Sequence, residues 1–374
     1  MKAQNYLYHD KQGLYYYCLD TQYKRSITHL SQQDRLQVSK DYITIVDTCF
    51  IPNKATLIKN GDLYLHNLWK PYIRGNGSNE NITIFLEFMI RLFPDNTERK
   101  IVTQFLAHII QKPEIRPSFG LLLTSAQGTG KGVLYHQILT PLLCGQCRIP
   151  ASYDKVTGKH GNVLQNSLLV MLDDPKSNSA ATMTNLKNRI SEPYIEIEEK
   201  FKESRSIKTY SRIILASNER IPLVFNDDDG DNRRWYAPRY IEHKIDRAET
   251  SRFINEMLAT LDIDAVYDYL SDYDLSDFNP FNPVLTDTLI EMMKLSGGDL
   301  KDDLIEYLDR YKVASLTDIR NAVKFEGTDQ ELSNALVSIG ASKARVRIGN
   351  QQLRLWHRGI NRNDIEEHYQ PFTF

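Results

Sequence analysis

Residues 124–133 read Thr124-Ser125-Ala126-Gln127-Gly128-Thr129-Gly130-Lys131-Gly132-Val133. The order is close to a phosphate-binding loop, Gly-x-x-x-x-Gly-Lys-Ser/Thr. Two positions depart from it: Ser125 stands at the first glycine, and Gly132 stands at the hydroxyl that meets magnesium. A loop of this kind has mechanical meaning only between a strand and a helix. Here "FGLLLTS" precedes it, a continuous apolar run of the form a buried parallel strand takes. "KGVLYHQILTPLL" follows with helical spacing. Gly128 and Gly130 would turn amides inward onto phosphate oxygens, and Lys131 would reach the β- and γ-phosphates. The plain alternative for the loop alone is a tight turn before a helix.

Two further apolar runs strengthen the nucleotide reading. "SLLVML" (167–172) ends in Asp173-Asp174-Pro175, and "SRIILASNE" (211–219) ends in Ser217, Asn218 and Glu219. Strands alternating with helices predict a parallel α/β sheet with its chemistry at the carboxyl ends of the strands. ATP and Mg²⁺ are the expected ligands. The nucleotide would sit on Ser125, Gln127, Gly128, Thr129, Gly130, Lys131, Gly132 and Val133. Asp173 is the candidate magnesium ligand, Asp174 would polarise the attacking water, and Asn218 would hold that water or the γ-phosphate. Without a hydroxyl at 132, phosphate oxygens, waters and a carboxylate must complete the octahedron. Taken singly, Asp173-Asp174 and Asn218 also suit helix caps or turns.

The remainder of the 374 residues suits a soluble globular protein. Net charge is −2, so any polyanion surface must be local. No run of 18 apolar residues occurs, and the N-terminus lacks a signal-peptide core. Four cysteines are too few for a disulfide framework, and a cytoplasmic setting fits. Cys144 and Cys147 form a single Cys-x-x-Cys pair, short of a zinc ligand set. Four regions are expected. Residues 1–75 are Tyr-rich with short alternating runs, residues 76–118 are helical and collar-like, and 119–285 form the ATPase core. In 286–374, three short helix candidates and a hairpin around Gly349-Asn350 outline a winged-helix-like, DNA-binding domain.

The three motifs, in this order, resemble those of the superfamily 3 helicases, of the AAA+ type found in viruses, phages, plasmids and mobile islands. "SAQGTGKG" matches their Walker A, "LLVMLDD" their Walker B and "IILASNE" their motif C. The phage and plasmid primase-helicase branch is similar also at Leu65–Pro71, at "QKPEIRP" and at "VTGKHGN". The resemblance spans roughly residues 60–240. It implies ATP hydrolysis at the subunit interfaces of a ring, a homohexamer, with single-stranded DNA in the channel and 3′-to-5′ travel. It places a basic-tipped hairpin at "EIEEKFKESRSIK", with Lys200 and Lys202 as DNA contacts. It also implies an arginine acting in trans, with Arg233, Arg234 and Arg189 as candidates. The setting implied is replication of a phage or mobile element in a bacterial cytoplasm. No primase motif is visible, so a separately encoded primase is a candidate partner.

Residues 332–363 contain no Asp or Glu but carry Lys343, Arg345, Arg347 and Arg354 on the expected hairpin. Neutralising phosphates, in single strands or in duplex origin DNA, is the natural use of such a patch. A solvated strand face balanced by acids elsewhere is the alternative. Lys200 and Lys202 sit among five glutamates, so a salt-bridged hairpin is theirs. Two other functions stay open. One is an initiator that uses ATP as an assembly switch on origin DNA with little unwinding. The other is a P-loop kinase for a small molecule.

Overall fold

The computed structural model describes residues 6–9, 15–18, 24–26, 43–75, 82–158, 162–175, 180–197, 205–223, 225, 234–296, 298–323, 325, 328–349 and 351–369. Lys200, Lys202 and Arg233 lie outside them.

The N-terminal region forms a six-stranded mixed sheet. Its strands are β1 (Tyr6–His9), β2 (Tyr15–Cys18), β3 (Lys24–Ser26), β4 (Ile43–Cys49), β5 (Leu57–Asn60) and β6 (Leu63–Asn67), in the order β3-β2-β1-β4-β6-β5. β4 runs parallel to both β1 and β6. The β5–β6 hairpin turns at Gly61, whose φ of 63° suits a residue without Cβ. Two helices follow, α1 (Ile82–Leu92) and α2 (Asn96–Gln111). Pro94 parts them, and Asp95 caps α2 by accepting from the amides of Thr97 and Glu98.

The central layer is a five-stranded, all-parallel sheet of β7 (Gly120–Thr124), β8 (Cys147–Arg148), β9 (Leu169–Asp173), β12 (Arg212–Ser217) and β13 (Trp235–Tyr236). The hairpin β10 (Tyr194–Ile197) and β11 (Arg205–Lys208) stands apart as a two-stranded antiparallel pair. The order in the central sheet is β13-β7-β12-β9-β8, so the strand that is late in sequence separates β7 from β9. Continuous apolar strands follow from burial on both faces. Leu121, Leu123, Leu169, Met171, Ile214 and Ala216 pack into one core, and Leu122, Val170, Leu172, Ile213 and Leu215 into the other. The first core takes α1, α2 and two later helices, α6 (Arg247–Thr260) and α7 (Ile263–Ser271). The second takes α4 (Asp154–Thr157), α5 (Ala180–Ser191) and α8 (Asp287–Ser296). α3, after the glycine loop, is compound: Lys131–Val133 is α-helical, Leu134–Leu139 is π-helical, and Thr140–Leu142 is α-helical again.

One charged residue in an apolar strand is a surprise. Arg212 opens β12 and is fully buried. Its guanidinium donates to the carbonyls of Lys112 at 2.8 Å, Ile115 at 2.7 Å and Tyr210 at 3.2 Å. It thus closes the carboxyl end of α2, where helix carbonyls lack partners. Burial, helped by Arg212, pushes His108 down to about 3, so its ring is neutral at physiological pH.

The C-terminal region has its own cores. It runs α9 (Gly298–Tyr311), β14 (Val313–Ser315), α10 (Leu316–Ala322), α11 (Asp329–Ser338), β15 (Ser342–Ile348) and β16 (Gln351–His357). Capping boxes start α10 at Ser315 and α11 at Thr328. The strands form an antiparallel sheet in the order β14-β16-β15. Among the described residues no helix is long and apolar enough to cross a membrane.

Candidate functional site

The parallel order sets the site. Ala216 of β12 pairs with Asp173 of β9, and Ser217 pairs with Thr124 of β7. Three strand ends therefore open side by side, and the glycine loop rises from one of them.

The loop turns where glycine is needed. Gly128 has φ 86° and Gly130 φ 110°, conformations that L side chains rarely adopt. A Cβ at Gly130 would also meet the Phe88 ring at 3.0 Å. Ser125 is different, because its φ is not positive and glycine is not required there. Its amide donates to Ser217 O at 3.0 Å, extending the sheet, and its buried hydroxyl accepts from Thr129 Oγ1 at 3.0 Å. The departure at Ser125 is thus absorbed as an internal staple of the loop. Gln127 and Gly128 form the exposed crest.

Lys131 is the first residue of α3 and is buried. Its Nζ donates to Ser217 O at 2.6 Å and to Asn218 Oδ1 at 3.3 Å. Burial pushes its ammonium down to about 8, against the pull of Asp173 and Asp174. Asn218 turns its other end to Asp174, with Nδ2 3.2 Å from Asp174 Oδ2. Asp174 Oδ1 also accepts from Ser217 Oγ at 3.1 Å. Asp174 has φ 44°, a left-handed backbone held by its amide's bond to Ala216 O at 2.8 Å. Strain of this kind gathers at functional sites. Lys131, Asp174 and Asn218 therefore form one connected cluster. Asp173 and Asp174 are both exposed residues. Carboxylates at exposed strand ends suit Mg²⁺, a hard ion that keeps several waters. The residues present fit a magnesium–triphosphate.

Several side chains near the loop carry no obvious sequence motif. Tyr135, buried in α3, lies beside Asp173. Arg247, opening α6, brings Nε to 3.3 Å from the position a Cβ on Gly128 would take. His243 lies 3.2 Å from Gln127 O through Nε2 and 2.9 Å from Thr250 Oγ1 through Nδ1. Tyr240 donates to Asn218 O at 3.4 Å, and Arg220 stacks on its ring at 4.0 Å. Arg247 opens a helix 74 residues beyond Asp173 and gives no periodic cue that it returns to the loop; only the fold brings it back.

The other arginine candidates are elsewhere. The Arg234 carbonyl accepts from Gly120 N at 2.9 Å, which places it at the amino ends of the strands. Its guanidinium donates to Lys187 O and Ser191 Oγ, each at 2.7 Å, and so ties down the end of α5. Arg189 is in the last turn of that helix, and its carbonyl accepts from Arg116. Both are at the end of the sheet opposite the loop of their own chain.

On the β15–β16 hairpin, Lys343, Arg345, Arg347 and Arg354 are all exposed. Lys343, Arg345 and Arg347 alternate along one face, and Arg354 pairs directly with Arg345. Like charges directly opposite are destabilising in a sheet. No ion pair to these four is made among the described residues. Lys343 Nζ lies 5.5 Å from the Trp356 ring centroid.

A family described as one of unknown function, DUF5906, matches residues 123–234, the stretch from the loop to Arg234. No curated protein matches the chain. Among solved structures, the apo C-terminal region of NrS-1 (305–718) superposes with TM-score 0.60 at 17% identity, covering 95% of this chain and 96% of that one. Its A form gives 0.60 and 17%, covering 95% and 97%. The fold is shared over nearly the whole of both chains at low sequence identity.

Proposed function

We propose that this chain is an ATP-driven DNA helicase or translocase, acting in replication of a phage or mobile element. The observation that supports it is the convergence of Lys131, Asp174 and Asn218, with Asp173 beside them, at three adjacent strand ends. Loop amides and Lys131 bind the phosphates, and the start of α3 adds its dipole. Bound magnesium would neutralise charge on the transferring phosphoryl group. Asp173 would hold that ion. Asp174, fixed by Ser217 and Asn218, accepts a proton from the attacking water. Arg247 is a candidate cation for the same phosphates from within the chain.

Assembly as a homohexameric ring would bring the far end of one subunit's sheet to the loop of the next. Arg233 and Arg189 are then the trans candidates. Arg234 would serve only after leaving Lys187 and Ser191. The C-terminal region, read as a winged helix, would contact DNA through Lys343, Arg345, Arg347 and Arg354. Lys200 and Lys202, in the sequence between β10 and β11, would contact the strand in the channel. The test is ATP turnover with and without single-stranded DNA, alongside strand separation on a forked duplex. DNA-stimulated turnover with separation supports the motor. ATP-dependent origin binding without separation supports the assembly switch, and turnover indifferent to DNA supports a small-molecule kinase.

A further inference from the structure

The loop lacks its terminal hydroxyl because residue 132 is glycine, yet a hydroxyl occupies that neighbourhood. A Cβ placed on Gly132 would meet a single heavy atom within 4 Å, the phenol oxygen of Tyr135 at 3.9 Å. Tyr135 is three residues on, which puts it on the same helix face. Helical side chains lean toward the N-terminus, so its ring points back along α3 to the loop. The phenol is buried and neighbours Asp173, the acid at the tip of β9.

The local helix is adapted to this placement. Leu134–Leu139 is π-helical, a widened turn that is rare and gathers at functional sites. The carbonyl of Tyr135 is held by both the amide and the hydroxyl of Thr140, the latter at 2.7 Å. The backbone of Tyr135 is therefore held, and its ring is buried. In loops of the ordinary kind, the Ser/Thr hydroxyl and the strand-end aspartate serve the same magnesium ion.

We propose that Tyr135 replaces the absent hydroxyl of position 132, acting as the positioning residue that holds Asp173 for the nucleotide's divalent ion. This rests on the nucleotide site proposed above. In the loaded site the phenol would donate a hydrogen bond to one carboxylate oxygen and leave the other to face the ion.

The test measures Mn²⁺ affinity by electron paramagnetic resonance with a non-hydrolysable ATP analogue bound. Analogue affinity in excess chelator is measured separately. Wild type must bind the analogue; if it does not, the nucleotide site itself falls and this proposal with it. Given that binding, Tyr135→Phe is expected to weaken Mn²⁺ about tenfold, the cost typical of losing a partner of a metal ligand. Metal-free analogue affinity should stay within about twofold. Gly132→Ser added to Tyr135→Phe should restore most of the Mn²⁺ affinity. Unchanged Mn²⁺ affinity in Tyr135→Phe would overturn the proposal. Equal losses with and without metal, unrescued by Gly132→Ser, would overturn it too, by assigning Tyr135 a packing role. Should Tyr135→Phe not fold, wild type decides with Tb³⁺ in place of Mg²⁺. Tyrosine-sensitised emission that Mg²⁺ displaces is expected, and its absence overturns the proposal.

Discussion

Lys131 Nζ is 2.6 Å from the carbonyl oxygen of Ser217, a bond that crosses from the glycine loop to the end of β12. The ammonium is thus spent on its own protein, and burial has brought it down to about 8. A bound triphosphate favours the charged form. Binding above that value must therefore take up a proton, and affinity must fall as pH rises. The expected result is flat ATP affinity from pH 6.5 to 7.5, then a loss approaching tenfold per unit above pH 8. Calorimetric titration across that range checks it. Lys131→Arg should abolish the dependence, because guanidinium does not titrate there.

Asp174→Asn separates binding from chemistry. Asparagine tolerates the left-handed backbone that residue 174 adopts at φ 44° and keeps a group to meet Ser217 and Asn218. It cannot accept the water's proton. Turnover should fall by at least about 100-fold, while analogue affinity changes less than about threefold. Loss of both together would mean that Asp174 is a structural cap.

Arg345 and Arg354 face each other directly across the hairpin. Changing both to glutamine removes a repulsion, so the thermal midpoint should hold or rise. DNA affinity should fall, with the slope of log affinity on log salt reduced by about two if each meets a phosphate. ATP turnover in the absence of DNA should not change. An unaltered salt slope would assign the patch to plain solvation.

Arg212→Met tests the core. Methionine keeps the volume but strands the carbonyls of Lys112 and Ile115, now served at 2.8 and 2.7 Å. The expected loss is about 3 kcal/mol, seen as a drop of about 5 °C or more in the midpoint of thermal unfolding. A neutral result would mean that water enters and replaces the guanidinium.

The apolar runs of β7, β9 and β12 are legible because each strand is buried on both faces, which leaves an unbroken hydrophobic signal. The loop is legible because positive φ at Gly128 and Gly130 demands glycine. Spacing alone places Asp173, Asp174 and Asn218 at strand ends. Arg212 is not legible: in an apolar strand its neighbours give no sign of a helix end waiting 100 residues upstream. Tyr135 reads as an ordinary core residue, since its hydroxyl matters only through Gly132 and Asp173. Edge strands β8 and β13 are two residues each, too short to show a period. The parallel pairing of β4 in the N-terminal sheet depends on contacts distant in sequence and has no local signature.

The most direct measurement is calorimetric binding of Mg²⁺–ATP to wild type and to Lys131→Ala. One site per chain in wild type, weakened at least about 100-fold by the substitution, is the predicted result. No binding to wild type, or equal binding to both, would contradict a triphosphate site at the three strand ends.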